Sequence, residues 1–192
     1  ASDVYKRQVC GRTLKQGEEI PAHCASGEFT DLDICCWYHQ YTDYVLDRGL
    51  MQGMGNGIFA PNSKLTRGML VTTLYRLAGE PAIGEKTTFT DVSENSYYAD
   101  AVAWAQAAGI ALGVTDTSFA AEAFVSREQA AAFLYRYVVK YLKVEPAKGA
   151  DLSTYKDSGK ISEFAKEAVA WATAEGLFEG FPDGTMQPLG SL

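Results

Sequence analysis

The sequence predicts an all-α fold of helix-loop-helix repeats, on the strength of a register of spaced residues, apolar stripes at helical period, and paired start and stop signals. The register is anchored on Phe29-Thr30-Asp31-Leu32, which returns as Phe89-Thr90-Asp91-Val92 and more loosely as Tyr155-Lys156-Asp157-Ser158. Gly49 and Gly109 stand eighteen residues beyond the first two aspartates, and Gly176 nineteen beyond the third. Four residues on come Gly53, Gly113 and Gly180, and six further Phe59, Phe119 and Met186. Thr66-Arg67 and Ser126-Arg127 follow after seven, and Arg76 and Arg136 stand nine beyond those arginines. A period near sixty residues held at this many positions marks an internal repeat.

Within each unit the first helix is written as a stripe. Ala101, Val102, Ala105 and Ala108 share one face in the second unit, and Phe164, Ala168, Trp171 and Ala172 in the third. Gly49, Gly109 and Gly176 end these helices in the left-handed conformation, each followed by an apolar residue (Leu50, Ile110, Leu177) that packs back. The second helices carry Leu70, Leu74 and Leu77, then Ala130, Phe133, Leu134, Tyr137 and Val138. Thr66 and Ser126 are their N-caps, and Ser126 with Gln129 forms a capping box. Gly68 and the incomplete box make the first of these starts weaker, by about 1 kcal/mol. The Pro- and Gly-bearing stretches 79–85 and 144–149 are linkers within the array.

The chain has 192 residues, 47% of them apolar, enough to build a packed core. A net charge of −7 without any Lys/Arg cluster excludes the footprint of a nucleic-acid binder. The longest strongly apolar run, 130–142, is interrupted by Arg136 and Lys140 and is too short for a membrane span. No signal peptide is readable, and the chain reads as cut at both ends. Catalysis is not expected: the two histidines, His23 and His39, neither recur nor adjoin a nucleophile motif, and G-x-S-x-G, H-E-x-x-H and P-loop patterns are lacking. No cofactor is expected, and no metal ligands are assigned.

Residues 1–28 form a leader, in which 9–23 fit a small strand pair. Its Cys10-Gly11, Ile20-Pro21-Ala22 and His23 resemble the tail of a short cysteine-containing repeat of secreted clostridial surface proteins. Cys10 and Cys24 could pair as a disulfide, or Cys10, His23 and Cys24 could hold a metal; incidental thiols are the competing reading, and adjacent Cys35 and Cys36 seldom pair with each other. The role of these cysteines stays open.

Assembled as F-x-D…W/Y…G-x-x-x-G…F-x-P…T/S-R, the pattern over residues 29–192 resembles the S-layer homology (SLH) domain family. On that resemblance, repeat 1 is 29–84, repeat 2 is 85–150, and repeat 3 is 151–192, truncated with its last helix missing. The implied architecture is a pseudo-threefold helical spindle. The implied function is non-covalent anchoring of an extracellular protein, with an unknown upstream cargo, to a Gram-positive wall or S-layer through a pyruvylated secondary cell wall polysaccharide.

The resemblance assigns polysaccharide-binding roles to Asp31, Asp91 and Asp157, to Gly53, Gly113 and Gly180, and to Trp104 and Trp171, with Tyr44 at their place in repeat 1. Arg67 and Arg127 suit an anionic sugar on physical grounds, because a guanidinium gives paired hydrogen bonds to a carboxylate and a helix start is a favourable place for an anion. Each has a competitor: the tryptophans as core, the aspartates as turn caps, the glycines as turn geometry. Arg76 and Arg136 are expected on a solvated face or paired with acids. Departures from the pattern, Ala121 in place of the proline and no arginine in repeat 3, leave at most one complete groove. Alternatives to wall binding are a calcium-binding helical module, for which no unit supplies the EF-hand ligand series, and the anchor portion of a surface glycoside-active enzyme.

Overall fold

Local sequence sets the helix starts at Thr66 and Ser126 and the helix stops at Gly49, Gly109 and Gly176. The computed structural model describes residues 24–33 and 36–192. Five α-helices form among them, α1 (His39–Asp47), α2 (Arg67–Leu77), α3 (Ala99–Ala107), α4 (Arg127–Arg136) and α5 (Lys166–Ala174), with short 3-10 turns between. Among the described residues there is no β-strand beyond three isolated bridges, and no helix is long and apolar enough to cross a membrane. The strand pair expected over 9–23 lies outside the described residues.

Gly49, Gly109 and Gly176 have φ of 63°, 69° and 69°. The next amide then reaches back across the last turn: Leu50 to Val45, Ile110 to Ala105 and Leu177 to Ala172, each at 2.8 Å. Leu50 and Ile110 are buried as expected, whereas Leu177 is 51% exposed. At the second helices, Thr66 Oγ1 accepts the Met69 amide at 3.2 Å, and Ser126 and Gln129 form the complete capping box.

The chain divides into two compact units between Ser63 and Lys64, so the two helices of repeat 1 belong to different units. In the first, the 3-10 turn Ala25–Glu28 packs on α1. Ser26, fully buried, bonds Thr42 Oγ1 at 2.8 Å, and its amide donates to Asp43 Oδ1 at 2.8 Å. The glycine-dense stretch after α1 closes as a hairpin turn. Met54 donates to Ile58 at 2.7 Å, and Asn56 and Gly57 both sit at positive φ, as a two-residue turn of the I′ kind demands.

In the second unit α2 packs against α3, and α4 against α5, so each pair joins the second helix of one repeat to the first helix of the next. The cores are aromatic-rich. Trp104 lies 5.5 Å from Tyr75 and 5.1 Å from Tyr141, Phe119 lies 5.7 Å from Phe89 and 6.4 Å from Phe133, and Trp171 lies 5.6 Å from Tyr135. Beyond α4 one π-type turn, Tyr137–Tyr141, rotates Tyr141 onto Trp104. Two stripe positions depart from expectation. Phe164 is 57% exposed because the helix begins only at Lys166, after a 3-10 turn, and Leu77 is 48% exposed at the end of α2.

The repeats are stitched by their backbones. Leu65, Val125 and Leu192 occupy equivalent places, and their amides and carbonyls form a closed ring: Leu65 donates to Leu192 (2.8 Å), Leu192 to Val125 (3.1 Å) and Val125 to Leu65 (2.9 Å). The first amides of each second helix donate to the following repeat's loop. Arg67 and Gly68 donate to Ala123 and Ala121, Arg127 and Glu128 to Gly190 and Pro188, all at 2.8–2.9 Å. Gly68 therefore has a purpose that outweighs its helix cost, since a Cβ there would press on Tyr98 at 3.0 Å and on the Ala121 carbonyl at 3.2 Å.

Phe119 is fully buried between Phe89, Phe133 and the Arg67 side chain. Phe119→Ala is expected to lower unfolding free energy by about 3–5 kcal/mol, measured by chemical denaturation followed by circular dichroism.

Candidate functional site

Arg67 and Arg127 each begin a helix of one repeat and reach into the loop of the next. Arg67 Nε donates to the Phe119 carbonyl at 2.9 Å and Nη2 to that of Leu112 at 3.4 Å. Its guanidinium lies over the rings of Phe119 and Phe133, at 4.8 and 5.2 Å. Arg127 repeats the pattern one unit later, donating from Nε to the Met186 carbonyl at 3.0 Å and from Nη2 to the Glu179 carbonyl at 2.8 Å. It lies 5.0 Å from the centroids of both Phe178 and Phe181.

The two differ in access. Arg67 is 4% exposed, whereas Arg127 is only partly buried. Among the described residues, neither guanidinium has a carboxylate within ion-pair distance. Burial, first of all, makes the charged form of Arg67 costlier, the nearby Arg136 adds to that, and Asp91 works against it; burial acts likewise on Arg127 and Arg136. All three stay charged at neutral pH. Arg76, itself partly buried, pairs with Glu80 at 3.8 Å, the acidic partner expected of it, whereas Arg136 is partly buried near Arg67 and has no carboxylate in ion-pair range among the described residues. The expectation of an open helix start beside these arginines needs correction. The leading amides are already donated to the next repeat's carbonyls, so charge here comes from the guanidinium and not from the helix end.

The aspartates are loop caps. Asp31 accepts the amides of Phe59 (2.8 Å) and Ala60 (2.7 Å), Asp91 those of Phe119 and Ala120 (2.8 Å each), and Asp157 those of Met186 (2.7 Å) and Gln187 (2.9 Å). Ser118 adds a hydroxyl to Asp91 at 2.7 Å. The second residue of each pair has positive φ without being glycine (Ala60 62°, Ala120 56°, Gln187 50°), so the carboxylate holds a strained corner. The Phe59 amide, the largest influence, carries Asp31 below the usual carboxylate range. At Asp91 and Asp157 partial burial is the largest influence and pushes upward, but the donated amides together outweigh it, and both end lowered.

The glycines serve the same loops. A Cβ on Gly53, Gly113 or Gly180 would collide with the ring of Phe29, Phe89 or Tyr155, the first residue of each F-x-D motif. Trp104 and Trp171 are core residues, each 6% exposed, and Tyr44 is half-exposed with Arg48 3.8 Å over its ring. The sequence reading missed Glu128, buried and accepting both the Ser162 amide (2.9 Å) and hydroxyl (2.7 Å). Nothing local marked it, because its partner Ser162 lies in the next repeat. It also missed Phe178 and Phe181, the rings under Arg127.

These loop corners, arginine clamps and capped helices recur with the spacing of one known family. The S-layer homology domain matches residues 28–68, 88–131 and 154–191. The chain belongs to the S-layer homology family. An endoglucanase of a Bacillus species is 32% identical over 83% of the chain, which spans only 17% of that enzyme. A surface-layer 125 kDa protein of Lysinibacillus sphaericus is 31% identical over 71% of the chain, 11% of its own length. A cellulosome-anchoring protein of Acetivibrio thermocellus is 25% identical over 74%, and the chain spans 32% of it. S-layer homology segments of this kind place the chain outside the cell, at the wall.

Gly113→Ala is expected to cost at least about 1–3 kcal/mol, because a Cβ there would strike the Thr115 and Ser118 carbonyls as well as the Phe89 ring, read as a lowered melting temperature. The aspartate corners set an acid limb of stability. Because Asp31, Asp91 and Asp157 have lowered folded values, their contribution is present above the unfolded aspartate value of about 3.9 and is lost as pH falls through the folded values. Asp91→Asn should flatten that limb relative to the unaltered chain in thermal melts taken across acidic pH.

Proposed function

We propose that this chain anchors a longer surface protein to the Gram-positive wall by binding an anionic, pyruvylated secondary cell wall polysaccharide. Membership of the S-layer homology family supports the anchoring part, and the polymer's chemistry is argued from the cation. The observation that carries it is Arg127: a guanidinium accessible to solvent, steadied by two loop carbonyls and two phenyl rings, with no carboxylate in ion-pair range among the described residues although the chain carries a net charge of −7. A pyruvate ketal presents a carboxylate on a sugar, and a preorganised guanidinium meets it with charge-assisted hydrogen bonds. Phe181, 39% exposed beside it, offers apolar surface to a sugar face.

Arg67 does the holding: it is buried and locks the repeat 2 loop, while Asp91, Gly113 and Trp104 keep that loop and its helix in place. Asp157, Gly180 and Trp171 do the same for the loop that Arg127 reaches, and Asp31 and Gly53 for the loop of repeat 1. Relatives named for polysaccharide-degrading enzymes and for S-layer proteins suggest that the cargo varies while the anchor is shared.

The chain is expected to co-sediment with purified wall sacculi and to stay in solution once the secondary polymer is extracted or its pyruvate removed. Unchanged pelleting after extraction refutes the proposal. Arg127→Ala should weaken binding about 10- to 100-fold, the worth of one charge-assisted contact of about 1.5–3 kcal/mol. Helical circular dichroism should be retained, and the affinity of the unaltered chain should fall with added salt.

A further inference from the structure

Three donor atoms converge in the first unit, at a place that the wall-binding proposal does not use. Cys24 Sγ lies 3.1 Å from His39 Nε2, and that nitrogen lies 3.1 Å from Asp43 Oδ2. Cys24 Sγ is 3.7 Å from each carboxylate oxygen. The local fold explains the meeting. His39 opens α1 and Asp43 follows one turn later on the same face. Cys24 immediately precedes the 3-10 turn that Ser26 ties to Thr42 and Asp43. His39 is 2% exposed.

Two chemistries use a thiol, an imidazole and a carboxylate together. A nucleophilic relay places the ring between its partners, with one nitrogen toward the thiol and the other toward the carboxylate. Here both partners approach the same nitrogen, so the ring has no way to pass a proton between them. Three Lewis-basic atoms grouped in a triangle suit a shared cation instead. Tetrahedral zinc, with bonds of about 2.3 Å to sulfur and about 2.0–2.1 Å to nitrogen and oxygen, sets its ligand atoms roughly 3.3–3.6 Å apart. The observed edges of 3.1, 3.1 and 3.7 Å lie on either side of that range.

The donor types select the ion. Thiolate, imidazole and carboxylate together suit zinc, whereas calcium and magnesium take oxygen ligands. The Ser26 amide, 2.8 Å from Asp43 Oδ1, is the outer hydrogen bond that aims the carboxylate and leaves Oδ2 toward the centre. We propose that Cys24, His39 and Asp43 bind a zinc ion that staples the start of α1 to the preceding 3-10 turn. The fourth position is left to water. This set shares only Cys24 with the Cys10, His23 and Cys24 grouping raised by the sequence, because the i, i+4 pairing of His39 and Asp43 shows only once the helix start is placed. Cys10 and His23 lie outside the described residues.

Cobalt(II) as a spectroscopic probe on the whole chain tests the site. Tetrahedral d–d bands with a thiolate-to-cobalt charge-transfer band are expected, both abolished by one equivalent of zinc. Cys24→Ser should remove the charge-transfer band, and Asp43→Asn, which keeps an acceptor for the Ser26 amide, should weaken cobalt and zinc binding about tenfold or more with helical circular dichroism retained. The absence of tetrahedral bands overturns the proposal. So do bands that survive unchanged in both variants, since cobalt would then sit on other cysteines.

Discussion

The second unit depends on a ring of three backbone hydrogen bonds joining Leu65, Val125 and Leu192. These residues stand at the same place in the register, Leu65 and Val125 each just before a helix cap, and the ring ties the three positions directly to one another. Around it, the amides that a helix start leaves without internal partners are taken up by carbonyls of the following repeat's loop. A repeat in isolation would expose those amides and half of each helix pair. The stability of one repeat is therefore written partly in the next, as in other arrays whose units cannot bury a core alone.

Arg67 and Arg127 show how one position serves two ends. Both fasten the neighbouring loop through the same atoms, Nε and Nη2 to two carbonyls, with aromatic rings beneath the guanidinium. Phe119 and Phe133 enclose the first in the core, whereas the second lies between Phe178, which packs on the core, and the exposed Phe181. A cation without a partner carboxylate is costly inside a protein unless dipoles solvate it, and the loop carbonyls supply that solvation. The same arrangement leaves the charge of Arg127 accessible to solvent, as the proposed binding of an anionic polymer requires. Rigid support for a binding group favours affinity, because less freedom is lost when the ligand arrives.

Legibility in the sequence tracked the range of the interaction. Helix ends were readable because their chemistry is local: Gly109 at positive φ with Ile110 folded back, and Ser126 with Gln129 in a capping box, each need only a few consecutive residues. The role of Gly113 was half readable: its necessity was evident and part of its reason is local, the Thr115 and Ser118 carbonyls that a Cβ would strike, but the Phe89 ring that closes the same space lies two dozen residues away. Glu128 was not readable at all. Its partner Ser162 lies in the next repeat, and the equivalent position in repeat 1 is Gly68, which faces Tyr98 instead. The helix-start anion site failed for the same reason, because only the folded chain shows which carbonyls take those amides.

The sequence by itself determined the fold class, the repeat register, the helix boundaries to within a few residues and the family. Period, capping and glycine placement are short-range and act before any long-range contact forms. The tertiary structure alone decided that the tryptophans are core, that the aspartates hold strained loop corners, and that Arg67 is buried while Arg127 remains accessible. Those outcomes depend on which repeat packs against which. Equivalent residues at equivalent spacings acquire different exposures because their neighbours, and not their own identities, set how much solvent they keep.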